Sequence, residues 1–258
     1  LHEDTPLSSA EYDGTNWTAH TPRGSFSATH IIYCMGAHSP TAADANISAL
    51  PFRQIRGQTG VTAASGFSKQ LCCALSGESY ISPSWRGQHC YGATFVLNSN
   101  DDAWHPHEET ANRAALQQLN PPLAQSLFEQ NSFERNSLYS FSDDLSAPPQ
   151  GHAALRCDSP DHLPVVGALG DITAMQTAYA KLALDKNYRL DNVPCPYLPN
   201  AYINTAHGTR GLATAPVCAA AIAADILGLP QPLSQRLRTV LHPNRAVIRA
   251  IVRQQPLL

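Results

Sequence analysis

Over the first hundred residues apolar positions alternate with polar ones in short runs, and turn-forming residues break each run. "NWTAHTPRGSFSATHIIYCMGAHS" (16–39) reads as a hairpin turning at Pro22-Arg23-Gly24, then a buried strand "HIIYCMG" (30–36) that stops at a glycine. Period-two runs at 52–63 ("FRQIRGQTGVTA"), 78–84 ("ESYISPS") and 88–97 ("QHCYGATFVL") predict further short strands of an antiparallel sheet. The period then lengthens. "HEETANRAALQQL" (107–119) predicts a helix with Leu116 and Leu119 inward, "WHPHEE" (104–109) a solvated turn, and 141–154 a polar connector. "HLPVVGAL" (162–169) reads as another buried strand, 171–185 mixes helical and loop signals, and 196–208 leads into the last long apolar stretch.

That stretch is "HGTRGLATAPVCAAAIAADILG" (207–228). Thr214 as cap, Pro216 in the first turn and Gly228 at the end predict a helix from about Ala215 to Leu227. Its many alanines leave no bulky face, so it is expected to be buried, pressed closely onto a sheet or a ligand. Gly208 and Gly211 allow positive φ before it and free N–H groups to point forward, an arrangement that favours negative charge. Two readings stand at this point: a core helix after a glycine turn, or a helix start facing an electron-rich ligand.

Composition narrows the class. With 258 residues, 43% of them apolar and 14% charged, the chain has the makings of one large globular domain or two interleaved ones. No run of 18 apolar residues occurs, so no membrane span is expected. Seven cysteines, an odd number without a Cys-x-x-Cys pair, suggest reduced thiols and a cytoplasmic location, and the eleven histidines form no His-x-x-x-His pair that would suggest a metal site. The chain opens Leu1-His2-Glu3-Asp4 without a signal-peptide pattern and reads as a fragment. Net charge is −3, yet no acidic residue follows Asp225 while Arg236, Arg238, Arg245, Arg249 and Arg253 do. Arg245, Arg249 and Arg253 recur every four positions, either as a solvated helix face or as a stripe that meets nucleic-acid phosphates, with Val247, Ile248, Ile251 and Val252 anchoring another face.

A strand ending Cys34-Met35-Gly36, the Arg56-Gly57-Gln58 strand, Gly92-Ala93-Thr94-Phe95, "RCDSPDHLPVVG" (156–167) and "HGTRGL" (207–212) occur in an order that resembles the flavin-dependent D-amino-acid and glycine oxidase family. Within it, "RCDSPDHLPVVG", "HGTRGLATAPVCA" (207–219) and above all "LHPNRAVIRAIVR" (241–253) resemble the FAD-dependent oxidoreductase half of the bacterial bifunctional enzymes of tRNA 5-methylaminomethyl-2-thiouridine biosynthesis. The similarity covers residues 16–253. It implies an α/β (α+β) fold: a partial FAD-binding domain in segments 1–48 and 155–258, interleaved with an antiparallel-sheet substrate domain at 49–154. Gly36, Gly208, Thr209, Arg210, Gly211 and Leu212 would contact the flavin, whose reduction places negative charge where N–H groups and a helix dipole stabilise it.

The resemblance also implies that Arg156 grips a substrate carboxylate, as a guanidinium fork can, the alternative being a salt bridge to Asp158 or Asp161. Tyr80 resembles a pocket-lining tyrosine and reads equally as a core strand residue. Arg56, Gln58 and Cys157 read as structural, and His207 as a capping or packing residue in preference to a proton relay. The implied reaction removes the carboxymethyl group from carboxymethylaminomethyl-(2-thio)uridine at the tRNA wobble position, releasing glyoxylate, with a methyltransferase half in the same polypeptide. The alternatives are a small-molecule glycine, sarcosine or D-amino-acid oxidase, and an inert module that contacts substrate and RNA. One departure matters: the Gly-x-Gly-x-x-Gly loop that cradles the FAD pyrophosphate is absent from this sequence, so weak or no FAD binding by the chain alone is expected.

Overall fold

In a computed structural model of the chain, residues 1–128 and 151–257 are described. They form two compact units, Leu1–Gln54 with Arg156–Leu258 and Ile55–Leu155, and the chain passes between them within strands β5 (Arg53–Ala63) and β10 (Gly151–Asp158).

The first unit opens with an antiparallel meander of β1 (Ser9–Tyr12), β2 (Trp17–Thr21) and β3 (Gly24–Ala28). Pro22 and Arg23 form its second turn, as expected, and Gly24 takes φ +124°, which its missing Cβ permits. β1 carries no clear alternation and was not expected. A second sheet has the order β11 (Val165–Gly170), β12 (Tyr197–Thr205), β4 (Ile31–Tyr33), with β11 antiparallel and β4 parallel to β12. Adjacent valines show how it is covered. Val165 faces a core with Trp17, Ile47, Leu169, Met175, Ile203, Val247 and Ile251, whereas Val166 faces Cys218, Ile222 and Leu241 on the other side. Burying each such aliphatic side chain is worth about 1.5–3 kcal/mol.

Helices cap both faces: α1 (Ala45–Ser48), α4 (Ile172–Ala178) and α7 (Asn244–Val252) line the first core, α5 (Gly211–Leu227) and α6 (Gln235–Leu241) the second. Asp44 and Asp171 accept from the first-turn N–H groups of α1 and α4, and Ser234 does so for α6, so these starts follow ordinary capping chemistry. The mixed signal at 171–185 resolves into α4 followed by a 3-10 turn at Ala180–Ala183.

The second unit is an antiparallel sheet ordered β10 (Gly151–Asp158), β5 (Arg53–Ala63), β8 (Gln88–Tyr91), β7 (Tyr80–Ile81), β6 (Leu75–Ser76), with β9 (Val96–Leu97) also on β5. Helices α2 (Pro106–Leu119) and α3 (Pro121–Phe128) pack Leu116, Leu123, Ala124 and Leu127 against Ile81 and Tyr91. Leu116 and Leu119 point inward as expected. The expected strand 88–97 is split after Tyr91, where Gly92 takes φ +69°.

Two expectations need correction here. "WHPHEE" is no solvated turn: Pro106 starts α2, and Glu108 and Glu109 are buried in its first turn. Glu108 pairs with Arg56, and Glu109 accepts from the Tyr91 hydroxyl and from Arg113 Nε at 2.7 Å. Long-range partners thus decide the burial of carboxylates that read locally as polar surface. Of the connector at 141–154, residues 141–150 lie outside the described residues, while 151–154 already belong to β10.

Candidate functional site

In the first unit the parallel pair β4–β12 brings two glycine loops to one end. Registers Ile31↔Ala201 and Tyr33↔Ile203 put the residues after Tyr33 and those after Thr205 side by side at the strands' carboxyl ends, the usual place for a ligand beside parallel strands. A buried contact of 2.9 Å between Ser39 Oγ and Thr205 Oγ1 ties the loops together. Gly36 takes φ +53° with open space where a Cβ would stand. Gly208 takes φ +55°, and a Cβ there would lie 3.3 Å from Asp158 Oδ1. Asp158 is fixed in turn by the Ser159 N–H at 2.9 Å and by His162. Glycine meets both the dihedral and this close approach without strain.

Gly208, Thr209 and Arg210 form a 3-10 turn, and α5 starts at Gly211, four residues before the expected Ala215. Thr214 is therefore not the cap. Its hydroxyl donates to the Arg210 carbonyl at 2.9 Å, and its oxygen lies 2.9 Å from His207 Nδ1. Pro216 sits inside the helix, where it removes one i→i−4 bond. His207 holds the loop to β12 as well, through Nε2 to Asn204 Oδ1 at 2.9 Å, and burial pushes its pKa down, so the ring is neutral at neutral pH. Both ring nitrogens being occupied, it acts as a packing and tethering residue. No side chain caps the first turn of α5, and Leu212 is fully exposed there. Gly228 ends the helix at φ +65°, as expected.

The remaining face of α5 departs from expectation. Cys218, Ala221, Ile222 and Ala224 are buried, whereas Val217, Ala219, Ala220, Ala223 and Leu227 are exposed. Gly208–Leu227, with mean hydropathy 1.4, is long and apolar enough to cross a membrane by length and composition alone, which is weak evidence for a span. Its buried stripe nevertheless packs on β11 and β12.

These residues fit one end of a flavin. Gly36, Gly208 and Gly211 leave room where a Cβ would stand or require a left-handed backbone, and the uncapped helix start offers N–H donors. Nothing in the sequence fits the pyrophosphate in the Gly-x-Gly-x-x-Gly manner.

Arg156, near the end of β10, is half-buried, and among the described residues no carboxylate pairs with it. The alternative partners are engaged elsewhere: Asp158 as above, and Asp161 with Arg245 and Arg249. Cys157 beside it is buried, and burial pushes its thiol up to about 11, against the opposing effect of hydrogen bonds with Thr205 and Ser39. That makes it a poor nucleophile. Tyr80 is a half-buried residue of β7, in the other unit, and its carbonyl accepts from Gly92 N–H. Arg56 and Gln58 are buried structural residues: Gln58 accepts from the His105 N–H at 2.7 Å and donates to its carbonyl at 2.8 Å.

The arginine stripe is changed most by the tertiary structure. Arg245 forks onto Asp161 through Nε at 3.1 Å and Nη2 at 3.0 Å, and its remaining donors reach the carbonyls of Leu241, His242 and Leu163. Arg249 also meets Asp161, at 3.2 Å, and Arg238 meets Asp225 at 2.7 Å. Partial burial raises the Asp161 carboxyl, but the hydrogen bonds and charge of Arg245, with Ser159 and Arg249, outweigh this and hold it well below the usual carboxylate range. Arg253 lies at the end of α7, exposed and with no carboxylate partner among the described residues. Ile248 is exposed beside Arg249 and does not anchor the helix; Val247, Ala250 and Ile251 do. Among the described residues no three His, Cys, Asp or Glu side chains cluster in a way that would hold a metal ion.

A family model described as FAD dependent oxidoreductase (DAO) matches residues 1–225. The tRNA 5-methylaminomethyl-2-thiouridine biosynthesis bifunctional protein MnmC of Chromobacterium violaceum is 36% identical over 242 residues, covering 93% of this chain and 34% of that protein. Its counterpart in Pseudomonas syringae pv. tomato is 36% identical over 207 residues, 79% of this chain and 29% of that protein. The chain thus spans about a third of the length of these curated relatives. Among solved structures, glycine oxidase from Geobacillus kaustophilus shares the fold with a TM-score of 0.66 at 14% identity, over 95% of this chain and 53% of its own. Iminodiacetate oxidase from Chelativorans sp. BNC1 does so with a TM-score of 0.58 at 15% identity, over 89% and 51%. With the family model matching residues 1–225, most of this chain, and with mixed helices and antiparallel sheets of the same fold, the chain belongs to the FAD dependent oxidoreductase family.

Proposed function

We propose that this chain is part of a cytoplasmic FAD-dependent amine oxidoreductase that acts on carboxymethylaminomethyl-(2-thio)uridine at the tRNA wobble position, within a polypeptide that also carries a methyltransferase. The observation that carries this reading is the 36% identity to the MnmC protein over 93% of the chain. In it, the first unit is the flavin domain and the second the substrate domain.

When bound, FAD supplies a hydride acceptor for oxidation of the substrate's C–N bond to an imine, which water splits into glyoxylate and aminomethyluridine. The backbone at Gly36 and at Gly208–Leu212 accommodates the flavin ring, and the uncapped start of α5 stabilises negative charge beside it. Arg156, with no acidic partner among the described residues, holds the substrate carboxylate by its planar fork and so orients the methylene carbon. Tyr80 lines the substrate side. Arg249 and Arg253 face tRNA phosphates, while Arg245 secures the helix that carries them.

The test is glyoxylate release and nucleoside mass spectrometry on carboxymethylaminomethyl-tRNA, using the full polypeptide encoded with this sequence, wild type against Arg156→Ala. The variant should keep its flavin and lose about 2–4 kcal/mol in kcat/KM. Unchanged turnover would refute the role of Arg156. Turnover of glycine or sarcosine with none of the tRNA would replace this reading with a small-molecule oxidase.

A further inference from the structure

A cleft of about 810 Å³ opens in the first unit between α5, α6 and α7, beside β11 at the end of its sheet. None of the residues assigned to the flavin or to the substrate carboxylate lines it, and it shares only Arg245 and Arg249 with the basic stripe. Its floor is left bare by Gly167 and Ala168, at a point where β11 departs from regular pairing: Gly167 takes φ +129°, and the register with β12 shifts between Ala168 and Gly170. Such bulges at a sheet edge re-aim the backbone and open room for a ligand. One wall is aromatic. Tyr197, 47% exposed, meets the His242 ring edge-on at 5.8 Å, and Tyr202 stands further along β12. Much of the remaining lining is apolar, with Ile222, Leu233, Leu241 and Ile248, and three arginines stand among these: Arg238, which pairs with Asp225, and Arg245 and Arg249, which share Asp161, so one guanidinium charge is in excess. His242 registers that field: burial first, then the charges of Arg238 and Arg245, push its pKa down, leaving a flat neutral ring at neutral pH.

A bare floor, an aromatic wall and surplus guanidinium suit a planar ring joined to an anion. An apolar peptide would leave the excess guanidinium charge unmatched, and a simple anion would leave the aromatic wall unused. We propose that this cleft takes one unstacked nucleotide of a single-stranded RNA, its base against Tyr197 and His242 and its phosphate at Arg238 and Arg249. The inference rests on RNA being the substrate, and it adds a subsite formed by residues other than those assigned to the flavin and the reacting carboxylate.

The test uses the full polypeptide encoded with this sequence and a uridine heptanucleotide, with uridine 5′-monophosphate and inorganic phosphate as competitors. Tyr197→Ala should weaken heptanucleotide binding roughly tenfold or more, as loss of one stacked base does, while Tyr197→Phe keeps it. Arg249→Glu, at a side chain 44% exposed and so tolerant of change, should weaken it as well. A heptanucleotide carrying 4-thiouridine should photo-crosslink to peptides containing Tyr197 or His242. The proposal falls if the heptanucleotide does not bind, if Tyr197→Ala and Arg249→Glu leave its affinity within twofold of wild type, if crosslinks map away from the cleft, or if phosphate competes as well as the monophosphate. Glyoxylate release from tRNA is read separately, so a cleft that fails with turnover intact refutes this inference alone. Absent turnover with a working cleft refutes the proposed reaction alone.

Discussion

Replacing Asp161 by Asn tests whether the basic tail is held by its own counter-charge. In the folded chain the Asp161 carboxylate accepts two hydrogen bonds from Arg245 and one from Arg249, and the Ser159 hydroxyl adds a fourth at 2.8 Å. Charge-assisted bonds contribute about 1.5–3 kcal/mol each when desolvated, and exposed ones contribute little. Arg245 is 12% exposed, Asp161 22% and Arg249 44%, so the Arg245 fork dominates. Arg245 keeps three carbonyl acceptors in the variant, and the asparagine oxygen still accepts. The net loss is then about 2 kcal/mol, which for a chain of this size lowers Tm by roughly 4–8 °C. Arg249→Gln should cost under about 1 kcal/mol. The pH dependence has a definite sign. A carboxyl whose folded pKa lies below its unfolded value of about 3.9 stabilises fully above that value and loses the contribution as pH falls toward the folded pKa. The deficit of Asp161→Asn should therefore be constant from pH 7 to 5 and shrink by about 1 kcal/mol by pH 3. Thermal melts monitored by circular dichroism across that range decide the matter. A variant melting within about 1 °C of wild type at pH 7, or a deficit that does not shrink in acid, refutes the clamp.

Gly208→Ala forces a Cβ into a left-handed residue 3.3 Å from Asp158 Oδ1 and should destabilise the chain by about 1–3 kcal/mol, readable in urea melts; Gly14→Ala, with φ +98° but open space, separates the dihedral from the contact. The chain alone should emerge colourless from desalting after incubation with FAD, because no Gly-x-Gly-x-x-Gly loop is present; a stoichiometric flavin spectrum would contradict this. Substituting Arg249 and Arg253 together by glutamine should flatten the salt dependence of tRNA binding by roughly two units of slope, whereas an unchanged slope would return both to ordinary solvated surface.

Local chemistry determined much of this chain. The turn at Pro22-Arg23, the strands at β5 and β11, helix α2 and the left-handed glycines at 208 and 228 follow from dihedral preference and periodicity within a few residues. The glycine and arginine motifs that carry the family resemblance were equally legible. Partnership was not. The arginines of the last helix look free because no acid follows Asp225, yet Asp161, 84 residues before Arg245, is folded against them. Glu108 looks solvated and is buried on Arg56, 52 residues away. The start of α5 moved four residues because His207 and the Arg210 carbonyl, and not the helix's first turn, take up Thr214. Gly36 and Gly208 come to one edge only because β4 pairs in parallel with β12. Backbone conformation is set by each residue's own dihedrals and neighbours four positions away; ion pairs, burial and the meeting of loops depend on which distant segments pack together, and that was decided by the tertiary structure alone.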